Sequence, residues 1–456
     1  MNKNLVCPTS RRSFLKSAGQ VAAASALVGL AVPRVHAGEN NTIRIALIGC
    51  GGRGTGAAAN ALTAKGGPVQ LVAMADVFDD RLKSSYENLS AHFQDRMDVP
   101  AERRFVGFDG YKQAMDCLAP GDIAIFATPP AFRGVHFAYA IEKGLHVFME
   151  KPVTVDGPST RRMLALAEAS VQKNLKVGVG LMWRHCRARR ALHDRIQAGE
   201  IGDIITLRAY RMHGPIGSFL SEPKSAGISD LMYQIRNFHS YIWASGGCYS
   251  DFYIHNIDEC CWMKGSWPVE AQACGGRHYR GNYVDQNFDN YSVEYTFDDG
   301  TKLFLYGRCI GGCYDQFGSY VHGSQRQAII SLNAGMPSYS AIYRQQSIAP
   351  SQVIWKFTDH EPNPYDVEWE DLLLAIRQDQ PYNEAQRGAE ASLVSSMGRM
   401  AAHTGQVVTY DEMLQHPHDM ALGVETLTFD SPSPLMPGPD GKYPVPQPGL
   451  VTDREY

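Results

Sequence analysis

Residues 42–76 read TIRIALIGCGGRGTGAAANALTAKGGPVQLVAMAD, and no other stretch restricts the fold as tightly. An apolar run at 43–48 drives into Gly49-Cys50-Gly51-Gly52-Arg53-Gly54. An alanine-rich helical segment follows, and a second apolar run from Val69 ends on Asp76. Strand, glycine turn, helix, strand and acid in that order form a βαβ unit shaped for a dinucleotide. Gly49 permits the tight turn, Gly51 lets the backbone approach a pyrophosphate, and Gly54 lets helix and strand pack closely. The helix N-terminus then aims its amides at the phosphates. Gly52 and Arg53 complete the turn, and Asp76 falls where an adenosine ribose would offer its hydroxyls. A lone GxGxxG marks many ordinary turns, so the flanking elements carry the specificity.

At 456 residues the chain exceeds one ordinary core, and two domains are expected. With 44% hydrophobic and 20% charged residues and a formal net charge of −4, it carries no electrostatic footprint for nucleic acid or an anionic membrane face.

Residues 1–37 read as a leader. Ser10-Arg11-Arg12-Ser13-Phe14-Leu15-Lys16 is a twin-arginine sequence, a mild apolar run at 18–32 follows, and Val35-His36-Ala37 offers a small-residue cleavage site. The apolar run falls short of the roughly 20 residues that span a bilayer, so a cleaved signal is expected rather than a stable membrane anchor. Twin-arginine export carries folded proteins, which places the expected location in the periplasm or otherwise outside the cytoplasm. No free dinucleotide pool is expected there, so the cofactor should stay tightly bound and be recycled within the turnover or by a second substrate. The ten cysteines are scattered without metal-ribbon spacing, and their pairing is not legible.

Downstream of Asp76 the pattern keeps alternating. Helical spacing at 79–94 and 111–118 leads to a buried run at 122–127 that ends in Thr128-Pro129-Pro130. Residues 131–143 read as a helix stopped by Gly144, 146–149 as a strand, 158–173 as a helix and 176–180 as a strand. Such alternation predicts an α/β fold with a doubly wound parallel sheet over 42–180, its ligand at the carboxyl ends of the strands. Glu150-Lys151-Pro152 closes one of those strands. A lysine there is equally an ordinary surface residue or a group facing the reacting end of a nicotinamide.

From Ile201 the texture changes. Strands at 204–212, 291–297 and 302–307, the last two flanking Asp298-Asp299-Gly300, predict an α+β domain with a largely antiparallel sheet over 181–415. The insert at 215–247, rich in Ser, Gly and aromatic residues, is expected to form loops over the cleft. Residues 363–378 and 383–404 return to helical spacing. The stretch from 430 to 456, with seven prolines, reads as an extended arm that packs on a neighbouring subunit or stays loose.

A second dense spot is Cys248-Tyr249-Ser250-Asp251-Phe252-Tyr253-Ile254-His255. On a helix, Asp251 and His255 share a face. A carboxylate raises the basicity of an imidazole and a nearby ammonium lowers it, so together they hold a base near neutrality. Dehydrogenating an alcohol needs that base, because the hydroxyl gives up its proton as the carbon gives up hydride. The same pair also serves as a cap or a satisfied surface. A metal held by Asp251, His255, Asp258 and Glu259 lacks an HExxH or other ligand pattern, so none is expected.

Taken together these residues resemble the Gfo/Idh/MocA family, named for glucose–fructose oxidoreductase, inositol dehydrogenase and a rhizopine-catabolism protein. The resemblance rests on the glycine turn, Asp76, Thr128-Pro129 with His136, Glu150-Lys151-Pro152, Gly199-Glu200-Ile201-Gly202 and Asp251-x-x-x-His255, in the family's order over about residues 42–409. It implies a Rossmann domain followed by an open-faced sheet domain that also mediates homo-oligomers, with NAD or NADP held by the turn, Asp76, Thr128, Pro129, His136, Glu150 and Lys151. It further implies Lys151 as the contact to the reacting hydroxyl, Asp251 as its partner, His255 as general base and a Lys151–Pro152 bond that is often cis. Asp76 with no arginine beside it favours NAD, while Arg53 leaves NADP open. Sugars and cyclitols are the usual substrates. Arg184, His185, Arg236, Asn237 and Trp243 are candidates to bind a sugar ring, with packing at the domain junction the equal alternative.

The leading expectation is an exported NAD-dependent oxidoreductase acting on a hydroxyl of a sugar or glycoside. A glycoside hydrolase or epimerase working by transient oxidation is the alternative, and a non-catalytic sugar-binding protein a third reading.

Overall fold

The structure is a computed structural model that describes residues 41–332 and 339–456. The twin-arginine leader lies outside the described residues. The first part of the chain alternates β1 (Ile43–Ile48), α1 (Gly52–Thr63), β2 (Val69–Asp76), α2 (Asp79–Phe93), β3 (Arg104–Val106), α3 (Gly110–Asp116), β4 (Ile123–Phe126), α4 (Arg133–Lys143), β5 (His146–Met149), α5 (Gly157–Gln172) and β6 (Val177–Val179). These strands form one parallel sheet in the order β3-β2-β1-β4-β5-β6. The order reverses between β1 and β4, which opens a crevice at their carboxyl ends. Strands covered on both faces must be apolar throughout, and β1 is. Ile43, Ile45 and Leu47 pack in one cluster with Ala57, Ala61 and Leu62 of α1, whereas Ala46 and Ile48 join Phe126 and Phe137 in another.

The second part runs through α6 (Arg187–Gln197), β7 (Ile204–His213), α7 (Asp230–Arg236), α8 (Ile242–Ser245) and α9 (Gly247–Lys264). It continues through β8 (Glu270–Gly276), β9 (Asn290–Thr296), β10 (Lys302–Cys309), β11 (Gln316–Gly323), β12 (Gln327–Leu332), β13 (Ala341–Tyr343) and β14 (Val353–Lys356). Then come α10 (Pro364–Arg377), α11 (Ala385–Thr404), β15 (Val408–Thr409) and α12 (Tyr410–Gln415). The sheet has nine strands in the order β14-β13-β12-β11-β7-β10-β9-β8-β15. Its neighbours are antiparallel except for β7 and β10. In β10, Leu303 and Leu305 are buried in a cluster with Tyr249, Tyr253 and Ile257 of α9, while Lys302, Phe304 and Tyr306 alternate to the other, half-exposed face. One covered and one open face is the pattern that strict alternation dictates.

Two expectations change here. The insert at 215–247 contains α7, α8 and the single 3₁₀ turn Phe238–Ser240 rather than loops alone. The Ser229 side chain caps α7 by accepting from Met232 N, and Leu231, Ile235, Ile242 and Trp243 bury together with Phe132. The C-terminal arm folds back on its own chain. Glu455 is buried, its carboxylate accepting from Arg399 Nη2 and Nε at 2.8 Å and meeting His403 Nδ1 at 2.7 Å.

Later helices also join the parallel sheet to the rest of the chain. Trp369 of α10 stacks on Phe148 of β5 with ring centroids 4.5 Å apart. In α11, a Cβ at Gly388 would stand 3.0 Å from Val179, and one at Gly398 would meet the Tyr295 hydroxyl at 2.1 Å. Missing side chains thus let α11 lie between both sheets. Among the described residues no helix is long and apolar enough to cross a membrane.

Candidate active site

The glycine turn is built as its spacing requires. Gly49 has φ +95°, and a Cβ there would stand 2.6 Å from Thr128 N. A Cβ on Gly54 would stand 1.9 Å from Gly49 O, so any side chain would push α1 off β1. Gly51 and Gly52 face open space. Gly51 is the N-cap of α1 and supplies no side-chain cap, which leaves that end of the helix to whatever lies in front of it. What lies in front is a cavity of about 750 Å³ lined by the turn, Asp76, Thr128, Pro129, His136, Glu150 and Lys151, and reaching Asp251 and His255. Uncapped amides at one end, an acid on the wall and a lysine at the far end suit a dinucleotide.

Asp76 does more than face a ribose. Its Oδ2 accepts from Cys50 N at 2.6 Å and its Oδ1 from Phe78 N at 2.9 Å, tying the turn to the end of β2. Each oxygen keeps a lone pair for a hydroxyl. Burial raises its pKa against the opposing pull of those amides and of Arg81. Arg81 lines the same cavity, so the expectation of no arginine beside Asp76 is corrected. Arg53, also on the cavity wall, is engaged within the protein, its Nε 2.7 Å from Glu150 Oε1 and its guanidinium over the Tyr365 ring at 4.6 Å. Gly180 leaves the room Glu150 occupies, since a Cβ there would lie 2.7 Å from the carboxylate.

On the β4 side, Thr128 Oγ1 lies 3.2 Å from His136 Nδ1. Burial, with Arg133 adding to it, pushes the His136 pKa down to about 3, so the ring is a neutral hydrogen-bonding group. Arg133, which sequence reasoning missed, donates to the carbonyls of Phe126 and Thr128 and fixes the Thr128-Pro129 corner.

At the far end three segments converge. Lys151 follows β5, and the Lys151–Pro152 bond is cis. Its Nζ donates to Asp251 O at 2.6 Å and lies 3.5 Å from Asp251 Oδ1. His239, from the 3₁₀ turn of the insert, brings Nε2 within 3.3 Å of Asp251 Oδ2. Burial would raise the Asp251 carboxyl, but Lys151, His239 and His255 together hold it below the usual carboxylate range. His255, one helical turn along α9, packs its ring on Trp183 at 5.0 Å. Burial first, then the charges of Lys151 and Arg211, put its pKa well below the ordinary 6.5 despite Asp251. The expectation of a base near neutrality is thereby corrected: this imidazole is neutral and ready to accept a proton, and it is a weaker base than expected. Asp258 and Glu259 pair instead with Arg184 and Arg189.

The five residues expected to hold a sugar do not line this cavity. Arg184 forks onto Asp258 with Nη2 to Oδ1 at 2.7 Å, and His185 Nδ1 sits 2.7 Å from Asp371 Oδ2. Arg236 pairs with both oxygens of Asp80 at 2.8 Å, near the ribose end of the cavity. Asn237 donates to Tyr233 O at 3.0 Å, and Trp243, fully buried, donates from Nε1 to Gln234 Oε1 at 2.6 Å. Each of these five side chains thus makes at least one contact with a partner inside the protein. From the insert, Ile235, Phe238 and His239 reach the cavity instead.

A doubly wound parallel sheet with its glycine turn at the switch point, joined to a mixed sheet whose covering helix carries Asp251 and His255, defines an α/β fold of the dinucleotide-binding kind. Residues 43–181 match the model of the Gfo/Idh/MocA oxidoreductase family, described as an NAD-binding Rossmann fold. An inositol 2-dehydrogenase of Leifsonia xyli subsp. xyli is 26% identical over 173 residues, 38% of this chain and 42% of that protein. A dTDP-3,4-didehydro-2,6-dideoxy-α-D-glucose 3-reductase of Actinomadura kijaniata is 28% identical over 195 residues, 42% of this chain and 50% of that protein. The chain thus spans half or less of these curated relatives. Among solved structures, an aldose–aldose oxidoreductase from Caulobacter crescentus superposes with a TM-score of 0.62 at 14% identity, covering 81% of this chain and 99% of that one. A myo-inositol 2-dehydrogenase from Lactobacillus plantarum gives 0.58 at 22% identity, covering 81% and 99%. These superpositions establish the fold.

Proposed function

We propose that this chain is an exported NAD-dependent oxidoreductase acting on a hydroxyl of a sugar or glycoside, with a resident, recycled cofactor. The observation that carries the reading is the meeting of Lys151, Asp251 and His255 at one end of a cavity whose other end is the uncapped glycine turn. The relatives that act on inositol and dTDP-sugars lend it the substrate class. Gly49, Gly51, Gly52, Gly54, Asp76, Thr128 and Pro129 would hold the dinucleotide, with Asp76 favouring NAD and Arg81 giving NADP a cation. When bound, the nicotinamide supplies the hydride acceptor. Lys151 donates a hydrogen bond to the substrate oxygen and stabilises the charge that builds there. Asp251 holds that ammonium and His239 in place, and neutral His255 takes the hydroxyl proton. Export rests on residues 10–16, and tight retention follows from it. Subunit association through the open face of the nine-stranded sheet belongs to the same reading.

The test is mass spectrometry of cofactor released from the purified chain, followed by a panel of sugars and glycosides scored for reduced cofactor and ketosugar. Co-purified NAD and ketosugar formation are expected. Aglycone release without net reduction would move the reading to hydrolysis by transient oxidation, and absence of nicotinamide binding would end it.

A further inference from the structure

Beyond position 180 the cavity is lined by Ile235, Phe238, His239, Asp251, His255 and Tyr365, so half of that wall comes from one short stretch, the end of α7 and the 3₁₀ turn after it. The stretch is anchored twice. At one anchor Arg236 forks onto both oxygens of Asp80 on α2 at 2.8 Å, and Arg81 Nη2 donates back to Arg236 O at 2.8 Å. Both guanidinium groups lie over the Phe78 ring, Arg236 at 4.1 Å and Arg81 at 5.0 Å from its centre. Phe78, Asp80 and Arg81 stand on the cavity wall with Asp76. At the other anchor His239 Nε2 lies 3.3 Å from Asp251 Oδ2, whose Oδ1 faces Lys151. Arg236 and His239 are three positions apart, a reach of at most about 10 Å, so the stretch bridges from the Asp76 end of the cavity to its lysine end.

From behind, this bridge is braced by the C-terminal arm. Gln234 Nε2 donates to Leu435 O at 2.8 Å, Gln234 Oε1 accepts from Ser433 Oγ at 2.6 Å, and Leu231, Ile235 and Trp243 are buried in one cluster with Leu435 and Tyr443. The two anchors differ in kind. His239 and Asp251 expose only 18% and 11% of their side chains, whereas Arg236 and Asp80 expose 38% and 62%. An exposed pair adds little to stability and is screened by salt, which suits a contact that opens. The parallel-sheet residues and the bridge wall the same cavity, and the outer anchor ties one to the other; parting it lets the two walls separate. We propose that residues 235–239 are a clasp over the dinucleotide cavity and that the Arg236–Asp80 pair is its latch, setting how slowly NAD leaves. Arg236 is not on the cavity wall, so it governs the way out rather than touching the cofactor. The inference rests on the proposed function and names the device that regulates cofactor exchange at that same site.

Isotope exchange on the full chain tests it. Protein loaded with deuterated NAD is diluted into excess unlabelled NAD, and mass spectrometry follows the label that stays bound. Arg236→Gln loses an ion pair and a cation–π contact and should release NAD roughly 3- to 30-fold faster than wild type. Arg236→Lys, which keeps the charge and loses the fork, should fall between. Asp80→Asn should also speed release, and the double variant should be no faster than the faster single one, because the two side chains act through one contact. Raising salt should quicken release more in wild type than in Arg236→Gln. Equal release rates in wild type and Arg236→Gln, additive effects in the double variant, or the same salt response in both proteins would each overturn the latch. Retained NAD that a sugar reduces, with release rates equal in all variants, sinks only the latch. Latch-dependent release with no reduction by any sugar sinks only the dehydrogenase reading, and a chain that binds no NAD ends both.

Discussion

Replacing Asp251 by Asn keeps the shape of the side chain and removes its charge. In the wild type the carboxylate stands 3.5 Å from Lys151 Nζ, with only 15% and 11% of the two side chains exposed. At an effective dielectric of about 20 that separation is worth about 5 kcal/mol of gross attraction. Removing one partner of a buried pair costs about 3–5 kcal/mol net, because the other charge stays buried without compensation. The second contact, with His239 at 3.3 Å, weakens in the same step. Denaturant unfolding at pH 7 should therefore show Asp251→Asn destabilised by about 3 kcal/mol. The folded-state pKa of Asp251 is depressed below its ordinary 3.8, so its contribution is fully present above that value and is lost as pH falls below it. Wild type and variant should thus converge in acid below 3.8. Turnover should drop by at least about tenfold, because Lys151 loses the group that aims it. A variant within about 0.5 kcal/mol of wild type at pH 7, the scatter of an ordinary surface change, would refute the pairing.

Three further outcomes follow from the same geometry. Gly54→Ala should lose at least about tenfold in retained nicotinamide, measured by mass spectrometry of the released cofactor, since its Cβ would meet Gly49 O at 1.9 Å. Glu455→Gln should cost about 3 kcal/mol at pH 7 by leaving Arg399 uncompensated. Its wild-type carboxyl is pulled down to about 2, so the difference should fade between pH 4.5 and about 2 in denaturant titrations. Because His255 is held well below 6.5, kcat/KM should stay flat as pH falls through 6.5 and decline only at more acid pH; a limb centred at or above 6.5 would contradict the environment described for this ring.

The parallel sheet was legible because its signals are local. Glycine spacing, apolar runs and helix stops lie within a few residues of what they specify, and Lys151 could be placed by its strand end. Asp251 and His255 were legible as neighbours because helical spacing sets their common face. His239 was not, since only the folding of the insert brings it to Asp251, and no pattern near Phe238-His239-Ser240 marks it. Arg133 was hidden for the same reason, its partners being backbone carbonyls on the preceding strand and turn. The two arginines expected to hold a sugar could not be placed from sequence, because which arginine is neutralised depends on acids far away in the chain, Asp258 for Arg184 and Asp80 for Arg236. Proline content announced an extended arm, but its anchoring by Glu455 needed Arg399 and His403 on a helix some fifty residues earlier.

The central claim is that Lys151 faces the reacting oxygen at the nicotinamide end of the cavity. Single-turnover reduction of bound NAD by a substrate sugar, followed by the absorbance of reduced nicotinamide in wild type and Lys151→Ala, tests it most directly. The variant is expected to retain its cofactor and to reduce it slower by a factor of about 100 or more. Equal rates in the two proteins would contradict the claim.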